Sequence, residues 1–244
     1  MPGSAPKGVE LHPPGVWCRC APHAGVFFRA KMARRAALFI DGNNWYHGLK
    51  GLGMVDLGRL DYRKLSLKLV GPRQWIGTRY YVGRVPQSGD AALYTNQRRF
   101  LAKLEADSRI STHLGRLEQR PVVDPTAADL RSYLSNLRTR IDYRVFQDLM
   151  KLARRHQSTT VFVEKAVDVM IAVDLVVMAE RNGFDDAYLL SADGDFTPAV
   201  EHVRSHGKRV YAVSASSGAR LAAAVNSFIR IRAASWFADC YDDE

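Results

Sequence analysis

The stretch ALFIDGNN, residues 37–44, places four apolar residues directly before an acid. The apolar run has the length of one buried strand, and Gly42 followed by two asparagines is typical of a turn. Asp41 is therefore predicted to be the last residue of a buried strand, at the edge of a hydrophobic core. A carboxylate in that place can close a turn, attack a phosphate or hold a metal ion.

The rest of the chain alternates short apolar runs with amphipathic segments. Predicted strands are WIGTRYYVGRV, ISTHLGRLE, TTVFV, DAYLLS and RVYAVS, and predicted helices include DYRKLSLKLV, DAALYTNQRRFLAKLEAD and the long apolar AVDVMIAVDLVVMAERNG. Strands separated by helices imply right-handed crossovers. The fold class is therefore α/β, a mostly parallel Rossmann-like sheet with helices on both faces. We expect one domain over residues 36–244, with its chemistry at the carboxyl ends of the strands.

The net charge of +10 is unevenly distributed. Half of it lies in residues 1–35, a segment rich in Pro, Gly and Ala that we predict to be a disordered leader, with Met32 as an alternative start of translation. A basic helical insertion is predicted around residues 126–156. No apolar run approaches the roughly 20 residues that cross a bilayer, and the three cysteines form no disulfide framework. We expect a cytoplasmic protein without a membrane partner.

Acids follow a second predicted strand and open the long apolar helix. Asp193 and Asp195 follow DAYLLS within four residues, and Asp168 opens the helix. In a doubly wound sheet the ends of Ile40 and Leu190 can be neighbours, so these acids can converge on Asp41. Close carboxylates repel one another unless a divalent cation lies between them. Carboxylate oxygens and water suit Mg²⁺ or Mn²⁺.

Each acid also has a purely structural interpretation. Asp41 can close a turn, Asp195 can cap the next helix, and Asp168 can complement a helix dipole. A single shared site explains why these acids are all predicted at one edge of the sheet better than three independent structural roles do. Asp174 lies about 240° round the helix from Asp168, which argues against a shared site. The acids at 185–186 precede a strand, at the other edge of the sheet, and are expected to be solvated.

The basic insertion combines arginines with aromatic residues. Lys/Arg contacts to phosphates and aromatic stacking on unpaired bases are the usual means of binding single-stranded RNA. Arg154 and Arg155 are candidates to guide a substrate. The aromatic residues either stack on bases or pack inward, and inward packing is the favoured alternative for Tyr133, Tyr143 and Phe146.

Three motifs together resemble a known family. FIDGNN, EKAVDVMIAVDL and LLSADGDFTPAVEHVRSHGKRVY follow the order and style of a NYN domain of the LabA-like type, within the PIN-like nuclease superfamily. The resemblance covers about residues 36–237. It maps the family's strand-end acid to Asp41, its KGVD motif to residues 165–168 with Ala166 in place of glycine, and its SGDSDF motif to residues 191–196.

The resemblance implies metal-dependent hydrolysis of RNA phosphodiester bonds, with Mg²⁺ or Mn²⁺ as cofactor and single-stranded RNA as partner. It implies that the metal ligands, which are also the catalytic residues, are Asp41, Asp168, Asp193 and Asp195. Asp174 matches a recurrent acidic position and joins them as a weaker candidate. Substrate-binding roles then fall to Asn44, Lys165, Arg154 and Arg155, although a solvated surface charge explains Lys165 equally well.

Two other functions compete with a nuclease. A non-catalytic RNA-binding or regulatory module would retain the same fold. A phosphohydrolase of the haloacid dehalogenase type also uses a strand-end aspartate, but it needs a second acid two residues later, where this chain has Asn43. Dinucleotide binding is weaker still, since no G-x-G-x-x-G motif follows a strand.

Overall fold

The computed structural model describes two short strands and five longer ranges of the chain. Strands β1 (Trp17–Cys18) and β2 (Phe28–Arg29) pair antiparallel in the first unit, residues 1–33. The ranges 33–55, 57–87, 90–123, 125–155 and 158–241 make up the described remainder. Of the predicted leader, residues 1–35, the structure describes these two strands and residues 33–35. The second unit, residues 34–244, contains the main sheet.

Seven strands form that sheet, in the order β6-β5-β4-β3-β7-β8-β9. Their bounds are β3 (Arg35–Asp41), β4 (Gln74–Arg84), β5 (Ile110–Val123), β6 (Ser158–Lys165), β7 (Asp186–Leu190), β8 (Arg209–Ser214) and β9 (Ser227–Arg230). All neighbours are parallel except β5 and β6. The predicted mostly parallel α/β sheet is confirmed, with β3 at its centre.

Helices cover both faces of the sheet, as the sequence predicts. The described residues form α1 (Gly42–Gly51), α2 (Tyr62–Val70), α3 (Ala91–Glu105), α4 (Pro125–Asn136), α5 (Tyr143–Arg155), α6 (Val167–Glu180), α7 (Thr197–Ser205) and α8 (Ala219–Ala224). One apolar core contains Trp45 and Leu65, and a second contains Ile171 and Val200. Within these ranges, none of the helices has both the length and the apolar character to cross a membrane.

Strand β3 contributes to both cores because its side chains alternate between the faces. Leu38 and Ile40 enter the core of α1 and α2, whereas Ala37 and Phe39 enter the core of α6 and α7. Asp41 comes two residues after Phe39, so its side chain lies on the same face as those of Ala37 and Phe39. The period of the strand therefore directs its carboxylate toward the face that α6 and α7 cover.

The acid pair at the start of β7 departs from the sequence prediction. Asp186 is not solvated: its side chain is fully buried and accepts hydrogen bonds from Arg34 and Arg73. Burial alone would raise its pKa, but the hydrogen bonds of the two guanidinium groups outweigh burial and lower it. Arg34, assigned to the leader from the sequence, thus anchors the entry to β3.

Strands β5 and β6 extend beyond the carboxyl edge of the sheet as an antiparallel ribbon. Their register runs from the pair Arg116 and Lys165 to the pair Val123 and Ser158, whereas β4 already ends beside Arg116. Seven residues of strand span about 23 Å. Helices α4 and α5 connect the far ends of the ribbon. We call residues 117–164 the arm.

Candidate metal centre and active site

Asp41 lies at the carboxyl end of the central strand and is 4% exposed. Helix α1 begins at the next residue, so the turn predicted after Asp41 is absent. Gly42 permits this close path, because a Cβ there would lie 2.6 Å from the Tyr81 carbonyl oxygen. Asp41 caps the helix by accepting a hydrogen bond from the amide of Asn44 at 3.1 Å.

Two hydrogen bonds join the segment at the end of β3 to the loop that follows β7, and a third holds that loop together. Because Ile40 pairs with Leu190, the segments that follow these residues are neighbours, as the sequence predicts. The Ser191 hydroxyl donates to Asp41 Oδ2 at 3.0 Å and accepts from the amide of Asp193 at 3.1 Å. Asn44 Oδ1 accepts from the amide of Ala192 at 3.1 Å. Ser191, which sequence reasoning missed, thereby positions two of the predicted ligands.

Burial and, to a smaller extent, mutual repulsion raise the pKa values of acids at this edge of the sheet. Burial, together with the charges of Asp168 and Asp193, raises the pKa of Asp41 to about 6, although the hydrogen bonds from Asn44 and Ser191 act to lower it. Asp168 lies in the first turn of α6. Asp168 is exposed as a whole residue, but its carboxylate is partly buried, and this burial raises its pKa. Repulsion from Asp193 and Asp195 is the second cause that raises it. These four aspartates therefore lie close enough for their charges to interact.

Asp193 and Asp195 have different local roles from those the sequence predicts. Asp195 does not cap α7. Asp193 instead accepts a hydrogen bond from the amide of Asp195 at 2.9 Å and caps the short 3-10 helix Gly194–Phe196 that leads into α7. The exposed Asp195 carboxylate lies 4.0 Å from the guanidinium of Arg220. Within the ranges that the structure describes, Asp41, Asp168 and Asp193 form no ion pair with a lysine or arginine.

Glu164 is a fifth acid at this site, and sequence reasoning missed it. The predicted strand TTVFV stops at Val163, whereas β6 continues to Lys165. Glu164 accepts a hydrogen bond from the amide of Gly83. Burial, together with the charges of Asp41 and Asp168, raises the pKa of Glu164 to about 7, although the hydrogen bond from Gly83 acts to lower it. The glutamate immediately before Lys165 was a signal in the sequence, but only strand pairing places it here.

The remaining predicted residues lie at different places. The carboxylate of Asp174 accepts hydrogen bonds from Arg79 and Tyr81, both at 2.7 Å, about 9 Å along α6 from Asp168. The structure therefore separates Asp174 from the four aspartates, in agreement with its helical phase. Lys165 ends β6 beside the site. Arg154 and the backbone of Arg155 end α5 in the arm, and the Arg155 side chain lies outside the described residues.

Ala166 adopts a left-handed backbone conformation, with φ of 71° and ψ of −7°. It is the position at which the resembling motif has glycine. A left-handed conformation costs a residue with a Cβ about 1–2 kcal/mol, which is partly offset by the lower entropy of its unfolded chain.

We expect Ala166→Gly to stabilise the protein by about 0.5–1 kcal/mol, because glycine adopts this conformation without a steric penalty. Urea unfolding measures the change. Ala172→Gly, in the middle of the regular helix α6, is the control and should destabilise by about 1 kcal/mol. Equal losses in both variants would contradict a strained Ala166.

Comparisons with known proteins agree with this architecture. A solved protein of unknown function from Vibrio parahaemolyticus has a similar fold, with a TM-score of 0.51 and 18% identity over 84% of this chain and 96% of that chain. No curated protein matches the sequence. The NYN domain family model matches residues 35–232, which include every acid of the site. The chain therefore belongs to the NYN domain family.

Proposed function

We propose that this protein is a metal-dependent ribonuclease that hydrolyses RNA phosphodiester bonds at the Asp41 site, and that it is a NYN domain of the LabA-like type. NYN domains have a PIN-like nuclease fold and are generally ribonucleases. The observation that carries the proposal is the meeting of a nearly buried Asp41 with Asp168, Asp193 and Glu164, without a paired cation among the described residues.

The donor set fits a hard divalent cation. Its carboxylates come from β3, from β6, from the first turn of α6 and from the loop after β7. Carboxylate oxygens are the ligands that Mg²⁺ and Mn²⁺ prefer. Asp41, Asp168 and Asp193 would hold the metal, with Asp195 at the exposed side. A bound ion would supply a hydroxide nucleophile at neutral pH and neutralise charge on the phosphate.

The chain's own residues orient these ligands. Ser191 fixes one oxygen of Asp41, and the amide of Asn44 fixes the other. The Asn44 side chain also holds the loop before Asp193 through the amide of Ala192, so Asn44 acts as a positioning residue. Lys165 would contact a phosphate next to the bond that is cut.

Features of the arm favour single-stranded RNA as the substrate. Tyr133 and Tyr143 are 61% and 59% exposed, so the favoured expectation that they pack inward is wrong. Exposed aromatic rings can stack on unpaired bases. In α5 and the preceding loop, Arg138, Lys151 and Arg154 surround a cavity of about 420 Å³ whose apolar walls include Tyr143 and Phe146. We infer that the arm holds RNA beside the site.

The double variant Lys151→Gln/Arg154→Gln tests this role of the arm. We expect weaker binding of single-stranded RNA, and a slope of log K against log salt that is smaller by about 1.4, or 0.7 for each lost phosphate contact. Fluorescence anisotropy at several salt concentrations measures both quantities. Arg209→Gln, at the opposite edge of the sheet, is the matched control. An unchanged slope in the double variant would remove the arm from the proposed binding surface.

Cleavage of end-labelled single-stranded RNA with Mg²⁺ or Mn²⁺ tests the function itself. The wild type should cut the RNA, and Asp193→Asn should bind it without cutting. Cleavage that persists in Asp193→Asn and Asp41→Asn would reject the assigned site. Binding without cleavage by the wild type would instead support the regulatory module, and activity on a simple phosphomonoester would support the phosphohydrolase.

A further inference from the structure

A second group of metal-binding side chains lies far from the acid site. Glu180 is the last residue of α6, while His202 and His206 lie at the end of α7. Asp168, in the first turn of α6, is about 18 Å from Glu180 along the helix axis. The two groups therefore occupy opposite ends of the same helix and cannot share one ion.

The donor atoms of this second group are already close together. One nitrogen of each imidazole and one carboxylate oxygen lie within 4.8 Å of one another, and all three side chains are exposed. His202 Nε2 is 3.0 Å from Glu180 Oε1, and the two ring centroids are 4.5 Å apart. Bonds of 2.0–2.2 Å in a tetrahedral site require ligand separations of about 3.4 Å. Small side-chain rotations are enough to reach that geometry.

Hydrogen bonding prepares His206 as a ligand. Its Nδ1 lies 2.9 Å from the backbone carbonyl oxygen of His202. A carbonyl oxygen only accepts, so Nδ1 carries the hydrogen and Nε2 keeps its lone pair. Histidine ligands usually donate their second ring N–H to such an acceptor, which orients the ring. His206 is the residue that directly follows α7, and the spacing of four residues places it one turn after His202 on the same side.

We propose that Glu180, His202 and His206 bind one Zn²⁺ ion, with water in the fourth position, and that this ion links the ends of α6 and α7. Two imidazoles and one carboxylate suit Zn²⁺ far better than Mg²⁺, which prefers oxygen ligands. The proposal does not depend on the nuclease assignment. Its structural consequence does concern that site, because α6 carries Asp168 and α7 follows Asp193. The ion fixes the relative position of α6, which carries Asp168, and of α7, which begins four residues after Asp193.

Zn²⁺ titration of the full chain, stripped with a chelator and kept in excess Mg²⁺, tests the proposal. Calorimetry should show one Zn²⁺ per chain, and His206→Gln or Glu180→Gln should bind it at least about tenfold more weakly. Zn²⁺ should raise the unfolding temperature of the wild type and leave that of His206→Gln unchanged. Co²⁺ in place of Zn²⁺ should give the absorption bands of a tetrahedral site in the wild type alone.

Two controls separate this site from other ligands of the chain. His47→Gln removes an exposed histidine elsewhere, and Asp193→Asn alters the acid site; both variants should keep wild-type Zn²⁺ affinity. Equal affinity in the wild type and His206→Gln would overturn the proposal. Loss of Zn²⁺ binding in Cys18→Ser/Cys20→Ser, with binding retained in His206→Gln, would overturn it too, by assigning the ion to the two cysteines.

Discussion

Asp41→Asn is expected to abolish RNA cleavage, by about 10³-fold or more, and at the same time to stabilise the metal-free protein at neutral pH. Burial raises the pKa of Asp41 from 3.8 to about 6, so ionising it in the folded protein costs about 3 kcal/mol. Asparagine avoids this cost but weakens one of two accepted hydrogen bonds, worth about 1 kcal/mol. The net gain is therefore about 1–2 kcal/mol.

RNA cleavage assays and urea unfolding with a chelator present measure the two effects. Asp90→Asn is a matched control, because Asp90 also caps a helix but is exposed and far along the chain from the acids. Asn and Asp are nearly equivalent as helix caps, so this control should change neither activity nor stability. If Asp41→Asn destabilises the protein, the Asp41 carboxylate contributes mainly to folding and not to metal binding.

The second large effect is a stability that falls as the pH rises. Asp41, with a pKa of about 6, and Glu164, with a pKa of about 7, hold protons in the folded state that the unfolded chain releases near pH 4. Stability must therefore decrease from about pH 4 to about pH 7. Asp41 alone contributes about 3 kcal/mol to this decrease, and Glu164, which is less buried, adds to it.

Other acids act in the opposite direction at lower pH. Hydrogen bonds from Arg35 are the largest of the effects that lower the pKa of Asp185 to about 2. Its stabilising contribution is complete above pH 4 and is lost as the pH falls toward 2. We therefore expect maximum stability of the metal-free protein near pH 4–5, more acidic than is usual for a protein.

Unfolding curves in urea at about pH 5 and about pH 8, with a chelator or with excess Mn²⁺, measure this dependence. Mn²⁺ should remove most of the loss at the higher pH, because it binds the ionised carboxylates of the folded state. In Asp41→Asn both the pH dependence and the response to Mn²⁺ should be smaller. If Mn²⁺ leaves the wild type unchanged at pH 8, the acids do not form a metal site.

The local sequence predicts the central strand and the convergence of its neighbours' acids. Length and composition predict a strand for the four apolar residues before Asp41 and another for the run that ends in Leu190. Parallel strands carry their carboxyl ends to one edge. The order of strands and helices along the chain therefore already predicts that Asp41, Asp168 and Asp193 lie at the same edge of the sheet. The helical period of α6 likewise separates Asp174 from Asp168.

The sequence predicts local backbone conformation and individual hydrogen bonds less well. Which of Asp193 and Asp195 caps the following helix depends on a difference of two residues in where that helix starts. Ala166 reads as a favourable helix residue, but the turn from β6 into α6 requires a positive φ there. Such details follow from how the chain enters an element, and local propensities do not determine them.

By itself, the sequence determined the α/β sheet, its two covered faces and the edge at which the aspartates lie, because periodicity and turn signals are local properties of the chain. Only the tertiary structure decided the roles of Glu164, Ser191 and Asp186. Glu164 joins the site because β6 pairs antiparallel with β5, and Asp186 is buried because Arg34 and Arg73 reach it across the sheet. These contacts depend on strand pairing between distant segments, which no short stretch of sequence specifies.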